Sequence, residues 1–226
     1  MTDDAAKLNA AKAAVALVED GMRLGLGTGS TAQLILPMLG ALVASGMRLV
    51  GVPTSERTAK FARRAGVPLT TLSETPELDL AIDGADEVDP EFNMIKGGGG
   101  ALLREKIVAS CARRMVVVID RSKLVDQLGA FPLPVEVSPM AATPVARRIG
   151  AHGREVTLRR AKNGGAFVTD EGHHILDCRF GRITDPRTLS RTLSDIPGVI
   201  EHGLFLDMAE LVIVGSDTGA ETLERR

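Results

Sequence analysis

The chain has 226 residues, enough for one large domain or two small ones with a real core. Its hydrophobic content of 44% is ordinary for a globular protein, and its net charge of −2 gives no electrostatic case for binding nucleic acid or a membrane surface. It contains no Trp and no Tyr, so stacking of bases or sugar rings is not expected. Cys111 and Cys178 stand alone rather than in a CxxC pair, which removes zinc and redox readings and suits a reducing cytoplasm. The N-terminal "MTDDAAK" is acidic rather than basic, against a signal peptide. The apolar run Leu34 to Met47 is broken by Pro37 and two glycines, so it reads as a buried helix and not a membrane span.

In chain order, residues 3–20 alternate apolar residues and charges at helical spacing, with Thr2 as N-cap and Gly21 as the residue after the helix. "MRLGLG" reads as a strand, "TGST" as a glycine turn, and 32–44 as a helix. "MRLVGVP" is a second strand, and Thr54 or Ser55 caps a helix through Arg64. "VPLTTL" and "LDLAID" are further strands. A polar, glycine-rich loop follows, then a helix over 101–114 and the strand "MVVVID". Strands alternating with helices predict a parallel sheet covered on both faces. After about residue 130 the pattern changes. The proline-bracketed "FPLPVEVSP" leads to a helix at 143–151, a strand at 155–160 and a hairpin turning near "DEG". A helix at 186–195 and a strand at 199–206 complete a ferredoxin-like arrangement. The apolar "AELVIVG" is placed to return to the first sheet. The expectation is an α/β protein: a Rossmann-like parallel sheet domain, residues 1–130 plus 207–226, with a smaller ferredoxin-like α+β domain, 131–206.

Two segments carry chemistry. In "GLGTGSTA", Gly25 to Ala32, a glycine turn between strand and helix exposes backbone N–H groups at the positive end of a helix dipole, an anion site. Gly27-x-Gly29-x-x-Ala32 also fits a loose dinucleotide fingerprint, with Glu56 as a ribose-binding acid. The hydroxyls of Thr28, Ser30 and Thr31 suit a single phosphate instead. A tight turn whose hydroxyls merely cap a helix is the bland alternative.

The second segment is "IDGADEVDPEFNMIKGGGGALLREK", Ile82 to Lys106. Asp83 and Asp86 follow an apolar strand, at the end where open α/β sheets bind ligands. Lys96 immediately precedes Gly97-Gly98-Gly99-Gly100, and each glycine costs roughly 0.5–1 kcal/mol relative to Ala in ordered structure. Glu105 is expected on a small-residue helix face with Ala101, Ala109 and Ala112, while Leu103 and Ile107 form the apolar stripe. Partial burial there raises its pKa towards that of a general base, and the helix N-terminus opposes this. Taken singly, Glu105 serves the helix dipole, the aspartates serve turns, and Lys96 is solvated. Together, and with so expensive a glycine run, they argue for a site. His173 and His174 are adjacent in a predicted strand and point to opposite faces, and His152 and His202 lack partners at ligand spacing. Asp83, Asp86, Glu87 and Asp89 lack EF-hand spacing, so no metal is expected.

These blocks, with "VVVIDRSKLV", "FPLPVEV", "ILD" and "IPGVIEHGLF" in the same order, resemble ribose-5-phosphate isomerase, type A, across essentially the whole chain. The resemblance implies reversible conversion of D-ribose 5-phosphate to D-ribulose 5-phosphate in the non-oxidative pentose phosphate pathway, with no metal and no cofactor. It implies Glu105 as the base moving a proton between C2 and C1, and Asp83 as the group assisting ring opening. Lys96 and the amides of Gly97, Gly98 and Gly99 stabilise the enediolate, and Asp86 shapes the site. Thr28, Gly29, Ser30, Thr31 and Lys123 hold substrate, and Lys7 in the first helix is a phosphate partner in a loosely matched setting. It also implies a cytoplasmic homodimer or homotetramer whose partner is a small sugar phosphate, not nucleic acid or membrane. Two rivals remain. A dinucleotide-dependent oxidoreductase requires NAD or NADP binding. A non-catalytic sugar-phosphate sensor requires no base and is disfavoured by Glu105 beside Lys96.

Overall fold

A computed structural model of the chain describes residues 3–151 and 154–225. The elements in chain order are α1 (Asp3–Val15), β1 (Arg23–Leu26), α2 (Ser30–Ala44), β2 (Val50–Pro53), α3 (Glu56–Ala65), β3 (Leu78–Asp83), β4 (Glu87–Val88), β5 (Met94–Ile95), α4 (Leu102–Ser110) and β6 (Ala112–Asp120). There follow β7 (Leu133–Val137), α5 (Ala142–Gly150), β8 (Glu155–Leu158), β9 (His174–Arg179), α6 (Pro186–Ser194), β10 (Val199–His202), β11 (Leu204–Phe205), β12 (Leu211–Ser216) and β13 (Gly219–Glu224). The architecture is α/β, a central, mostly parallel sheet accompanied by smaller antiparallel sheets. The chain divides into two compact units, one comprising Met1–Ala85, Arg104–Leu124 and Asp207–Arg226, the other Asp86–Leu103 and Val125–Leu206.

The first unit holds the six-stranded sheet, in the order β13-β12-β6-β3-β1-β2. Neighbours run parallel except β13, which folds back antiparallel on β12. "MVVVI" in β6 and "LVIV" in β12 are continuous apolar runs buried along their length, the pattern of strands covered on both faces. Ala10, Ala11 and Ala14 of α1 and Leu36 and Leu39 of α2 pack with Leu24, Leu80, Val116 and Ile213 of the sheet. The small side chains let α1 lie close on β12: a Cβ at Gly215 would stand 2.0 Å from the Ala6 carbonyl oxygen.

Tertiary pairing moved several expected boundaries. α1 ends at Val15 rather than near 20, because the chain turns to meet Arg48, whose carbonyl accepts the Gly21 N–H at 2.6 Å. The helix expected to reach 114 stops at Ser110, since Ala112 pairs with Leu78 and Arg114 with Leu80 in β6. "VPLTTL" supplies only a single bridge, Leu69 to Gly51. β13 was not foreseen, whereas "AELVIVG" does join the first sheet as β12. The N-cap expected at Thr2 lies outside the described residues, as does His152.

In the second unit β7-α5-β8-β9-α6-β10 builds an antiparallel sheet in the order β10-β7-β9-β8, the ferredoxin-like order. The turn at "DEG" is present, with the Gly172 N–H donating to the Thr169 carbonyl and Gly172 at φ +80°. Leu133, Val135 and Val137 of β7 form its core with Val145, Ile149, Leu176 and Leu193. Cys178 is buried there, and burial pushes its thiol up to about 12. The strand expected over 199–206 is split at Gly203. Its N–H donates to the Pro134 carbonyl and its own carbonyl takes the Lys96 N–H, each at 2.8 Å. β11 therefore pairs with β5, which pairs in turn with β4, in a separate three-stranded sheet.

The segment 86–103, placed by the sequence reading with the larger domain, is grouped with the smaller unit. Glu87 accounts for this: its buried carboxylate accepts the N–H groups of Gly129 at 2.7 Å and Phe131 at 2.5 Å. Among the described residues no helix is long and apolar enough to cross a membrane.

Candidate active site

The carboxyl ends of β1, β3 and β6 lie side by side at one edge of the parallel sheet. In sequence these ends lead to Thr28, to Asp83 and to the short 3-10 turn Arg121–Lys123, so three expected site segments share the edge where such sheets bind ligands. Lys123 is half-buried in that turn, and Lys7 is half-buried on α1.

The loop after β1 is held from below. Thr28 donates its N–H to Asp83 Oδ1 at 3.1 Å, and the same oxygen accepts the Gly84 N–H at 2.8 Å. The Thr28 hydroxyl sits among Thr54 Oγ1 and Ser55 Oγ, each at 2.8 Å, and Thr58 Oγ1 at 3.0 Å. Thr58 also donates to the Gly27 carbonyl, and Ser55 caps α3 by accepting the Thr58 N–H. The hydroxyl expected to face a ligand is therefore engaged in holding the loop. Gly29 begins α2 at φ +134° with no side-chain cap, so the first amides of a fifteen-residue helix are left to whatever lies beyond them. Ser30 is exposed and Thr31 half-buried at that terminus. Gly27 has no room for a side chain: a Cβ there would stand 2.2 Å from Asp83 Oδ1 and 2.6 Å from its Cα.

Asp86 repeats this arrangement in the second unit, accepting the Gly98 N–H on Oδ2 at 2.7 Å. Gly97 (φ +105°) and Gly100 (φ +81°) both need left-handed backbone, and the Gly100 N–H closes a turn onto the Gly97 carbonyl at 3.0 Å. The Gly98 and Gly100 amides are thus committed within the loop, while Gly99 between them is exposed. Lys96 is 2% exposed, and its ammonium lies 5.3 Å from the centroid of the buried Phe205 ring. A cation on the face of a ring is attracted by the ring's quadrupole.

Glu105 is 4% exposed. It shares the buried face of α4 with Leu102, Val108 and Ala109, while Ile107 is 44% exposed. This corrects the expected faces: Ala112 has left the helix for β6, and the carboxylate lies on the apolar side rather than on a separate alanine-lined one. The next residue to one side, Arg104, pairs with Glu56 at 2.9 Å, so Glu56, considered as a ribose-binding acid, is engaged by a guanidinium.

The histidines are occupied separately, His173 Nδ1 against Glu136 Oε1 at 3.0 Å and His174 Nδ1 against the Phe167 carbonyl at 3.1 Å. Among the described residues no group of three His, Cys, Asp or Glu side chains is gathered so as to hold a metal ion. Sequence reasoning missed Thr54, Ser55, Thr58 and Phe205. "VPTSERT" signalled only a helix cap, and nothing local marks Phe205 as the neighbour of Lys96.

The family model of ribose 5-phosphate isomerase A (phosphoriboisomerase A) matches residues 50–219. Ribose-5-phosphate isomerase A of Agrobacterium fabrum is 53% identical over 225 residues, 96% of each chain, and that of Bradyrhizobium diazoefficiens is 51% identical over 100% of this chain and 98% of its own. The solved ribose 5-phosphate isomerase A of Methanocaldococcus jannaschii superposes with a TM-score of 0.93 at 42% identity, covering 99% of this chain and 100% of that one. A D-ribose-5-phosphate isomerase solved in complex with phospho-erythronic acid superposes with a TM-score of 0.95 at 41% identity over the whole of both chains. The chain belongs to the ribose 5-phosphate isomerase A family.

Proposed function

We propose that the chain interconverts D-ribose 5-phosphate and D-ribulose 5-phosphate through a metal-free cis-enediolate, with Glu105 as the base. The observation that carries the reading is Glu105 itself, a carboxylate 4% exposed on the apolar face of the helix into which the glycine loop leads. In the forward direction Asp83 assists opening of the sugar ring. Glu105 then removes the proton from C2, the electron pair moves to make the C1–C2 double bond, and the C1 oxygen becomes anionic. Return of that proton to C1, with transfer of the O2 proton to the anionic O1, gives the ketose. Lys96 and the Gly99 amide, exposed between two committed neighbours, meet the charge on oxygen as it develops, the most effective place for preorganised donors. The α2 terminus at Gly29–Thr31, with Lys7 and Lys123, takes the phosphate, whose binding energy serves chemistry at the other end of the substrate. The phospho-erythronic acid bound by one relative fits this reading, because its planar carboxylate resembles the planar, anionic enediolate on a chain that also carries a phosphate. A cytoplasmic setting and a homodimer or homotetramer belong to the same proposal, and sedimentation equilibrium reads the assembly.

The test is the reaction in heavy water. A proton resting on a carboxylate exchanges in part with solvent, so deuterium is expected at C1 of ribulose 5-phosphate, with the rate unchanged by excess chelator. No deuterium, together with activity lost to chelator and restored by a divalent ion, rejects the mechanism and the role of Glu105.

A further inference from the structure

The glycine loop is gripped from a part of the second unit that the reaction scheme leaves idle. Arg159 follows β8, and its side chain is 14% exposed. Its Nη1 donates to the Gly97 carbonyl at 2.8 Å and reaches the Gly98 carbonyl at 3.3 Å. Asp177 of β9 fixes the other side of the guanidinium, accepting Nε at 3.0 Å and Nη2 at 2.5 Å. The Phe167 ring completes the seat, its centroid 5.9 Å from the guanidinium carbon. Phe167 also closes over the loop, for a Cβ at Gly100 would stand 2.4 Å from its Cζ.

In a planar trans peptide the C=O and the following N–H point in opposite directions. The peptide joining Gly97 to Gly98 therefore has a cation on its oxygen and, through the Gly98 N–H, the Asp86 carboxylate at its other end. Both ends are held by charge-assisted bonds, the stronger kind. Turning the Gly98 carbonyl towards Arg159 sends the Gly99 N–H the other way, and the guanidinium polarises that peptide as a donor. Four consecutive glycines have no side chains to restrain them, so their amide directions must be imposed from outside.

We infer that Arg159, braced by Asp177, is a positioning residue that aims the Gly98 and Gly99 amides of the glycine loop. This rests on the reading of that loop as the cradle of the charged intermediate. A fork with several donors is required: a lysine at 159 keeps the charge but cannot serve Asp177 and two carbonyls in one plane.

The experiment uses Arg159→Ala, Arg159→Lys and Asp177→Asn in the full-length chain. Donors aimed at charge that develops in the transition state affect turnover more than ground-state binding. Arg159→Ala is therefore expected to lower kcat about 10–100-fold while KM for ribose 5-phosphate moves less than about 3-fold. Arg159→Lys and Asp177→Asn should fall between it and the parent. A cavity of about 500 Å³ lined by Gly98, Phe131, Arg159 and Asp177 admits small cations. Added guanidinium should accordingly restore part of kcat in Arg159→Ala and none in Asp177→Asn. A kcat within about 2-fold of the parent in folded Arg159→Ala overturns the inference. So does a joint fall of kcat, substrate affinity and melting temperature that guanidinium leaves unchanged, which marks a merely structural residue. If Arg159→Ala does not fold, parental kcat in both conservative variants overturns it. A parent without isomerase activity sinks the proposed function instead. The clamp is then judged by hydrogen exchange at the Gly98 amide, expected to quicken in the Arg159 variants and overturning the inference if unchanged.

Discussion

The two glycine loops of this chain are built on one plan with different anchors. Each surrenders an amide to one of the paired aspartates of "DGAD", Thr28 to Asp83 and Gly98 to Asp86. Each has a glycine whose missing Cβ makes room for that same carboxylate, Gly27 for Asp83 and Gly98 for Asp86. Beyond this they part. The first loop is fastened by neutral hydroxyls, Thr54 and Ser55 from the turn after the neighbouring strand β2 and Thr58 from the first turn of α3. The second is fastened by a charged fork, Arg159 with Asp177, brought from more than fifty residues away in sequence. A short-range hydroxyl cluster suits a loop that leads into a fifteen-residue helix, because the helix supplies rigidity. A run of four glycines supplies none, and the fold compensates with ionic bonds.

On the proposed mechanism both loops hold the substrate and the proton is carried by Glu105, which lies in neither. Its most severe test is Glu105→Gln, which leaves both loops and the helix intact. Turnover should fall at least about 10²-fold with affinity for ribose 5-phosphate largely kept. A parental rate with a small loss of stability would return Glu105 to a role in the helix dipole.

A smaller effect separates the two carboxylate seats. In Gly27→Ala the new methyl meets the Asp83 backbone as well as its side chain, and backbone cannot yield. In Gly98→Ala it meets only the end of the Asp86 side chain, which can swing aside. Gly27→Ala should cost about 1–3 kcal/mol of unfolding free energy and Gly98→Ala distinctly less. Gly98→Ala should instead lower kcat, because Asp86 must release the Gly98 N–H to make room. Equal losses of stability in urea melts would remove the distinction.

The smallest expected effect probes the hydroxyl anchor alone. Thr58→Val keeps the shape and deletes the bonds to Gly27, Ser55 and Thr28, for a loss of about 1 kcal/mol. No charge is involved, so the loss should be the same at low and high salt. A salt-dependent Thr58→Val penalty would show that the first loop is also held electrostatically.

Much of this was written locally. The alternation of apolar runs with helical segments gave the parallel sheet, since strands such as "VVVI" must be covered on both faces. The order of elements after residue 130 gave the antiparallel sheet of the second unit; a glycine turn with hydroxyls marked the first loop, and glycines beside carboxylates and a lysine marked the second. Hydrogen bonding across distant segments decided the rest. α4 lost its last turn because Ala112–Arg114 found ladder partners on β3, and 86–103 joined the smaller unit because Glu87 reached Gly129 and Phe131. The buried face of Glu105, the ring under Lys96 and the fork of Arg159 on Gly97 carry no local signature. Periodicity and propensity report what a segment prefers alone. Which carbonyl meets which guanidinium depends on chain separations that only packing closes.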